Sequence, residues 1–197
     1  MTRSIGIYVF DDVKVIDVTG PYEVFTCATR LSARVTPDAP PPFRVLTIGR
    51  TSALLRARAG FTVFPEADFG RADIDVLIVP GGNVDAELGR PDVIAWIAEA
   101  ARDSELVAAI GTGAFLLTQA GLLDGREVEA QQGATGPVRP FPELRVEGKR
   151  RLAGRGAIIA ASGATAGIDL SPDLVERLAG RELAYATARH MDYDWGQ

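Results

Sequence analysis

Three short runs of this chain, residues 4–10, 75–79 and 105–110, are apolar almost throughout, without the polar/apolar alternation of a strand that has one wet face. Unbroken apolar runs of that length are expected of strands covered on both sides. Two further runs, 43–48 and 157–161, read as strands, and residues 93–101 carry apolar side chains at helical spacing. Strands alternating with helices predict an α/β fold: a parallel sheet with helices on both faces and a ligand site at the carboxyl ends of the strands. At 197 residues and 47% hydrophobic composition the chain can bury one sizeable core, so a single domain over residues 1–197 is expected.

The punctuation between these runs fills in the rest. Gly20-Pro21 is read as a helix start, because proline suits the first helical position, and that helix should run to about Leu31 with Glu23 near its positive end. Four prolines between residues 37 and 42 predict an extended surface loop feeding the second strand. Residues 54–63 look like a small hairpin or a pair of short extended pieces, 113–123 like a helix closed by Gly121-Leu122-Leu123-Asp124-Gly125-Arg126, and the tail beyond 164 like helix.

Composition excludes several functions. A formal charge of -5 without long Lys/Arg clusters argues against a nucleic-acid surface, and Lys149-Arg150-Arg151 reads as a solvated turn. No apolar stretch is long enough to span a bilayer, and Met1-Thr2-Arg3 leads into a strand without a signal-peptide pattern, so a soluble cytoplasmic protein is expected. One cysteine, Cys27, and one histidine, His190, allow neither an internal disulfide nor a Cys/His metal site, and no cofactor is expected. Cys27, ten residues along the helix from Asp17, reads as a small core residue, and His190 as a structural or interface residue.

Three motifs fall at or just beyond strand ends: Asp17-Val18-Thr19-Gly20-Pro21, Pro80-Gly81-Gly82 and Gly111-Thr112-Gly113. Asp17, behind the apolar Val15 and Ile16, is read either as a desolvated carboxylate suited to proton transfer or as a helix cap. Gly81 and Gly82 offer backbone N–H groups to a developing oxyanion, or simply make a tight turn. Thr112 can donate its N–H and hydroxyl at the start of a helix, or act as an ordinary N-cap. Gly111 stands at a strand-to-helix turn where a nucleophile's side chain would be aimed into a cleft, and glycine removes that side chain. Covalent thiolate chemistry at this turn is therefore excluded.

These motifs, with the closing Met191-Asp192-Tyr193-Asp194-Trp195, resemble the ThiJ/PfpI superfamily and specifically its isocyanide hydratase branch, over nearly the whole chain. The resemblance implies a flavodoxin-like, glutamine amidotransferase-like α/β sandwich, a homodimer with its site near the interface, and an acid at Asp17 that works beside a cysteine. Here the usual Cys-Thr-Gly reads Gly111-Thr112-Gly113, and Gln131 and Gln132 stand where a His-Trp pair is common. The segment 133–137, rich in glycine with a proline, favours a loop over the branch's helix. Gln131 and Gln132 can orient a substrate but cannot shuttle protons, or else they form an exposed strand end, and Ile168 lies in a segment resembling a loop that borders the site. Two functions stay open on this reading. One is a cysteine-independent lyase, hydratase or isomerase centred on Asp17 and Thr112, with a small-molecule substrate held by Gly81, Gly82, Gly111, Gln131, Gln132 and Ile168. The other is a non-catalytic small-molecule-binding protein, or an inactivated hydratase.

Overall fold

The computed structural model of the chain describes residues 1–70, 73–123, 158–161, 163 and 165–195. Its strands are β1 (Arg3–Tyr8), β2 (Phe43–Gly49), β3 (Leu55–Arg56), β4 (Thr62–Val63), β5 (Ala67–Asp68), β6 (Val76–Val79), β7 (Leu106–Ile110) and β8 (Ile158–Ala161). Six of them form one parallel sheet in the order β5-β2-β1-β6-β7-β8, and β3 and β4 pair separately as an antiparallel hairpin, the first of the two readings of that stretch. In the central register Ile5 lies beside Val76 and Ile7 beside Ile78, with Val79 beside Ala109 one strand further on. Every residue of β6 and β7 is buried, which accounts for the missing polar alternation.

The helices are α1 (Val15–Val35), α2 (Asp85–Leu88), α3 (Pro91–Asp103), α4 (Gly113–Gln119), α5 (Ala166–Ala179) and α6 (Arg181–His190). From β1 the chain crosses through α1 to β2 on one side; from β6 it crosses through α3 to β7 on the other. Right-handed crossovers running in opposite directions place their helices on opposite faces. Consistent with that, α1, α5 and α6 pack on one another, and α2, α3 and α4 form a second group. The direction of winding reverses between β1 and β6, the place where open α/β sheets leave a crevice at their carboxyl ends.

The first helix begins six residues before the proline that the sequence suggested as its start. Lys14 is its N-cap and Pro21 lies inside it. An interior proline removes a helical hydrogen bond and usually costs about 3 kcal/mol, so local propensity favoured the later start. Tertiary packing overrides it. Gly20 and Pro21 press against the first turn of α5, where a Cβ on Gly20 would lie 2.8 Å from Ile168 Cγ1 and one on Gly167 3.1 Å from Pro21 Cδ. Glu23 is consequently far from the first turn; it is exposed and paired with Arg30 at 2.6 Å. The α4 helix stops at Gln119, four residues short of the expected end, with Gly121 taking φ +72° in the turn that follows. The short elements β5 and α2 carry too few residues to show a period and were not anticipated. No helix among the described residues is long and apolar enough to cross a membrane.

Candidate functional site

Asp17 is the third residue of α1, where a carboxylate suits the positive end of the helix dipole. Its side chain does not cap its own helix. Oδ2 instead accepts the Gly81 N–H at 3.2 Å, and Lys14 Nζ stands 3.0 Å from Oδ1 as an ion pair. The residue is 1% exposed, and Oδ1 has no hydrogen-bond partner of good angle among the described residues. Burial raises the proton affinity of this carboxyl above that of an ordinary aspartate, with Lys14 and the Gly81 N–H acting in the opposite direction.

Gly81 ends the segment leaving β6 and has no room for a side chain. A Cβ there would lie 2.9 Å from both Asp17 Oδ2 and the Ile110 carbonyl, and 3.1 Å from Thr112 N. Gly82 donates its N–H to Thr112 Oγ1 at 2.9 Å, and the Thr112 hydroxyl donates back to the Gly82 carbonyl at 2.9 Å. Both backbone donors expected to face a developing oxyanion are thus engaged inside the protein. The Thr112 hydroxyl is likewise a clamp between two loops, and it neither caps α4 nor stands free to move protons.

Gly111 follows β7 with φ +55°, the left-handed conformation of a sharp strand-to-helix turn, and its N–H donates to the Ala161 carbonyl at 2.7 Å. Among the described residues, a Cβ built on it would meet one atom within 4 Å: Asp17 Oδ2, at 3.8 Å. The volume of the missing side chain therefore opens onto the carboxylate. In this way the structure brings Asp17, Gly81, Gly82, Gly111 and Thr112 together at the ends of three neighbouring strands. Ile168 is half-buried and packs on Gly20. Gln131 and Gln132 lie outside the described residues.

The lone cysteine and the lone histidine lie elsewhere. Cys27 is buried in α1, where desolvation pushes its thiol toward the protonated form. His190 is exposed at the end of α6. The residue that sequence reading passed over is Lys14, although its spacing of three from Asp17 at a helix start is a recognisable signal.

With this geometry in view, the profile of the DJ-1/PfpI family matches residues 3–177. The chain belongs to the DJ-1/PfpI family. Among DJ-1/PfpI relatives, an isonitrile hydratase of Pseudomonas putida is 25% identical over 98% of this chain and 79% of its own length. The HTH-type transcriptional regulator GbdR of Pseudomonas aeruginosa is 27% identical over 98% of this chain, which spans only 51% of that protein. A crystal structure of a ThiJ/PfpI family protein from Pseudomonas syringae superposes with a TM-score of 0.80 at 21% identity, covering 100% of this chain and 77% of the other. At that identity the likeness speaks for the DJ-1/PfpI fold alone.

Proposed function

We propose that this DJ-1/PfpI chain is a small-molecule enzyme that works without a thiol and uses Asp17 as its general acid/base, in lyase, hydratase or isomerase-type chemistry. One observation carries the reading: the space in front of Gly111 opens directly onto Asp17 Oδ2. A substrate atom filling it lies next to a carboxyl that burial has already shifted toward the proton affinity such work needs. Thr112 holds the turn after β7 against the turn after β6, which fixes the direction of the Asp17 carboxylate through Gly81. Gln131 and Gln132 remain the residues proposed to orient the substrate. The resemblance also suggests a homodimer, which light scattering tests directly; the cytoplasmic location expected from the sequence is tested by fractionation.

A second reading, a binding protein without chemistry, is supported by the engagement of both the Gly81 and Gly82 N–H groups, which leaves a nascent oxyanion without those donors. It is also supported by the similarity to a transcriptional regulator. The discriminating experiment pairs the native protein with Asp17→Asn against a panel of small carbonyl, nitrile and isocyanide compounds. Binding retained with turnover lost supports the catalyst. Ligands that bind both proteins equally and are converted by neither support the binding protein.

A further inference from the structure

Lys14 joins three parts of the site. As N-cap of α1 it donates its backbone N–H to the Gly81 carbonyl at 2.8 Å. Its ammonium donates to the Gly163 carbonyl, beyond β8, at 3.3 Å and stands 3.0 Å from Asp17 Oδ1. The lysine side chain is 30% exposed and the aspartate side chain 1%. Solvent therefore reaches the cation while the carboxylate depends on protein groups for its charge.

Among the described residues, the surroundings of that carboxylate are otherwise uncharged. The β6 side contributes the Gly81 N–H, the β7 side contributes Gly111, and α5 contributes the backbone of Gly167, whose Cβ would lie 3.4 Å from Asp17 Cα. Lys14 is the one charged side chain acting on Asp17 among the described residues. A buried carboxylate without a counter-charge takes up a proton.

We propose that Lys14 is a positioning residue whose ammonium keeps Asp17 ionised and turned toward the space before Gly111, so that Asp17 begins the reaction as a proton acceptor. This rests on the catalytic reading of Asp17 and narrows its substrate class to neutral molecules with an acidic C–H beside a carbonyl or imine. The proton moves from that carbon to Asp17, and the C–H electron pair stays on the substrate as an enolate-like anion. Asp17 then returns the proton to a different atom of the same molecule. No oxidant, reductant or second substrate is consumed. Charge is conserved within the site: the Lys14–Asp17 pair is neutral before transfer, and after it the charge of the ammonium balances that of the substrate anion.

The test needs no substrate. The carboxyl carbon of Asp17 is titrated by NMR in full-length ¹³C-aspartate-labelled protein and assigned with Asp17→Asn. Lys14→Met is expected to raise its proton affinity by about tenfold or more, and Lys14→Arg to restore it to within about threefold. An unchanged Asp17 titration in Lys14→Met overturns the proposal, as does failure of Lys14→Arg to restore it. Where Lys14→Met does not fold, the Lys14→Met/Asp17→Asn double variant decides: recovery of the fold shows that the uncompensated carboxylate was the fault. No recovery assigns Lys14 to loop anchoring and overturns the proposal. A titration that moves as expected, in a protein that converts no compound of the panel, leaves the ion-pair assignment standing and removes the catalytic reading.

Discussion

The Gly81 N–H points at Asp17 Oδ2 from 3.2 Å, and a Cβ on the same glycine would lie 2.9 Å from that oxygen. The hydrogen bond and the close approach are one requirement: the backbone can reach a buried carboxylate only where no side chain stands between them.

Gly81→Ala and Gly111→Ala should therefore behave differently. At Gly81 the new methyl group also meets the Ile110 carbonyl at 2.9 Å, a backbone atom that cannot turn aside, so a cost of about 1–3 kcal/mol is expected with a displaced Asp17. At Gly111 the methyl group meets, among the described residues, only Asp17 Oδ2, at an ordinary 3.8 Å. Its cost comes from the left-handed backbone, about 1–2 kcal/mol. Urea unfolding of the two variants measures the costs, and ¹³C-aspartate NMR should show the Asp17 carboxyl disturbed by Gly81→Ala more than by Gly111→Ala. Equal perturbation of the carboxyl would contradict an open space between Gly111 and Asp17.

The buried carboxyl also gives stability a pH dependence. Burial raises the Asp17 proton affinity in the folded state above its unfolded value, so the folded protein binds more protons between the two. Stability contributed by this group is present below the unfolded value and is lost as pH rises through the folded one. The melting temperature of the native protein minus that of Asp17→Asn is expected to grow as pH falls from neutral toward the ordinary aspartate range. A difference that is constant across that range, or shrinks, contradicts the raised affinity.

On the far side of β1, the Tyr8 hydroxyl donates to Glu87 Oε2 and Arg90 holds Oε1 at 2.6 Å, with Glu87 1% exposed. Burial and the adjoining carboxylate push the Tyr8 hydroxyl well above the usual phenol range. Glu87→Ala strands a buried hydroxyl and unpairs a guanidinium that is itself 39% exposed, and should cost about 1–3 kcal/mol. Tyr8→Phe, which leaves the Arg90 pair intact, should cost about 1–3 kcal/mol. Trp96, stacked on Phe69 at 4.1 Å and 5.5 Å from the Tyr8 ring, supplies the fluorescence signal for the unfolding curves. A Glu87→Ala variant as stable as the native protein would show that this network contributes nothing.

Much of the layout was legible from residue order. Unbroken apolar runs identified β1, β6 and β7 as strands covered on both faces, and Gly111-Thr112-Gly113 after β7 identified a sharp turn into a helix. The start of α1 was misplaced because Gly20-Pro21 is a strong local signal for a helix start, whereas the packing of those residues on Gly167 and Ile168 is contributed by chain nearly 150 positions away. No local rule contains that contact.

The sequence by itself determined which chemical groups the site can have: a carboxyl at 17, no side chain at 111, no thiol or imidazole at the three motifs. Only the tertiary structure decided what those groups do to one another. It engaged the Gly81 and Gly82 N–H groups that residue types had offered to a substrate, tied the Thr112 hydroxyl to Gly82, and set Lys14 beside Asp17. The physical reason is that a hydrogen bond or a charge pair depends on separation and direction in space. Three loops distant in sequence acquire those only when the parallel sheet brings their strand ends together.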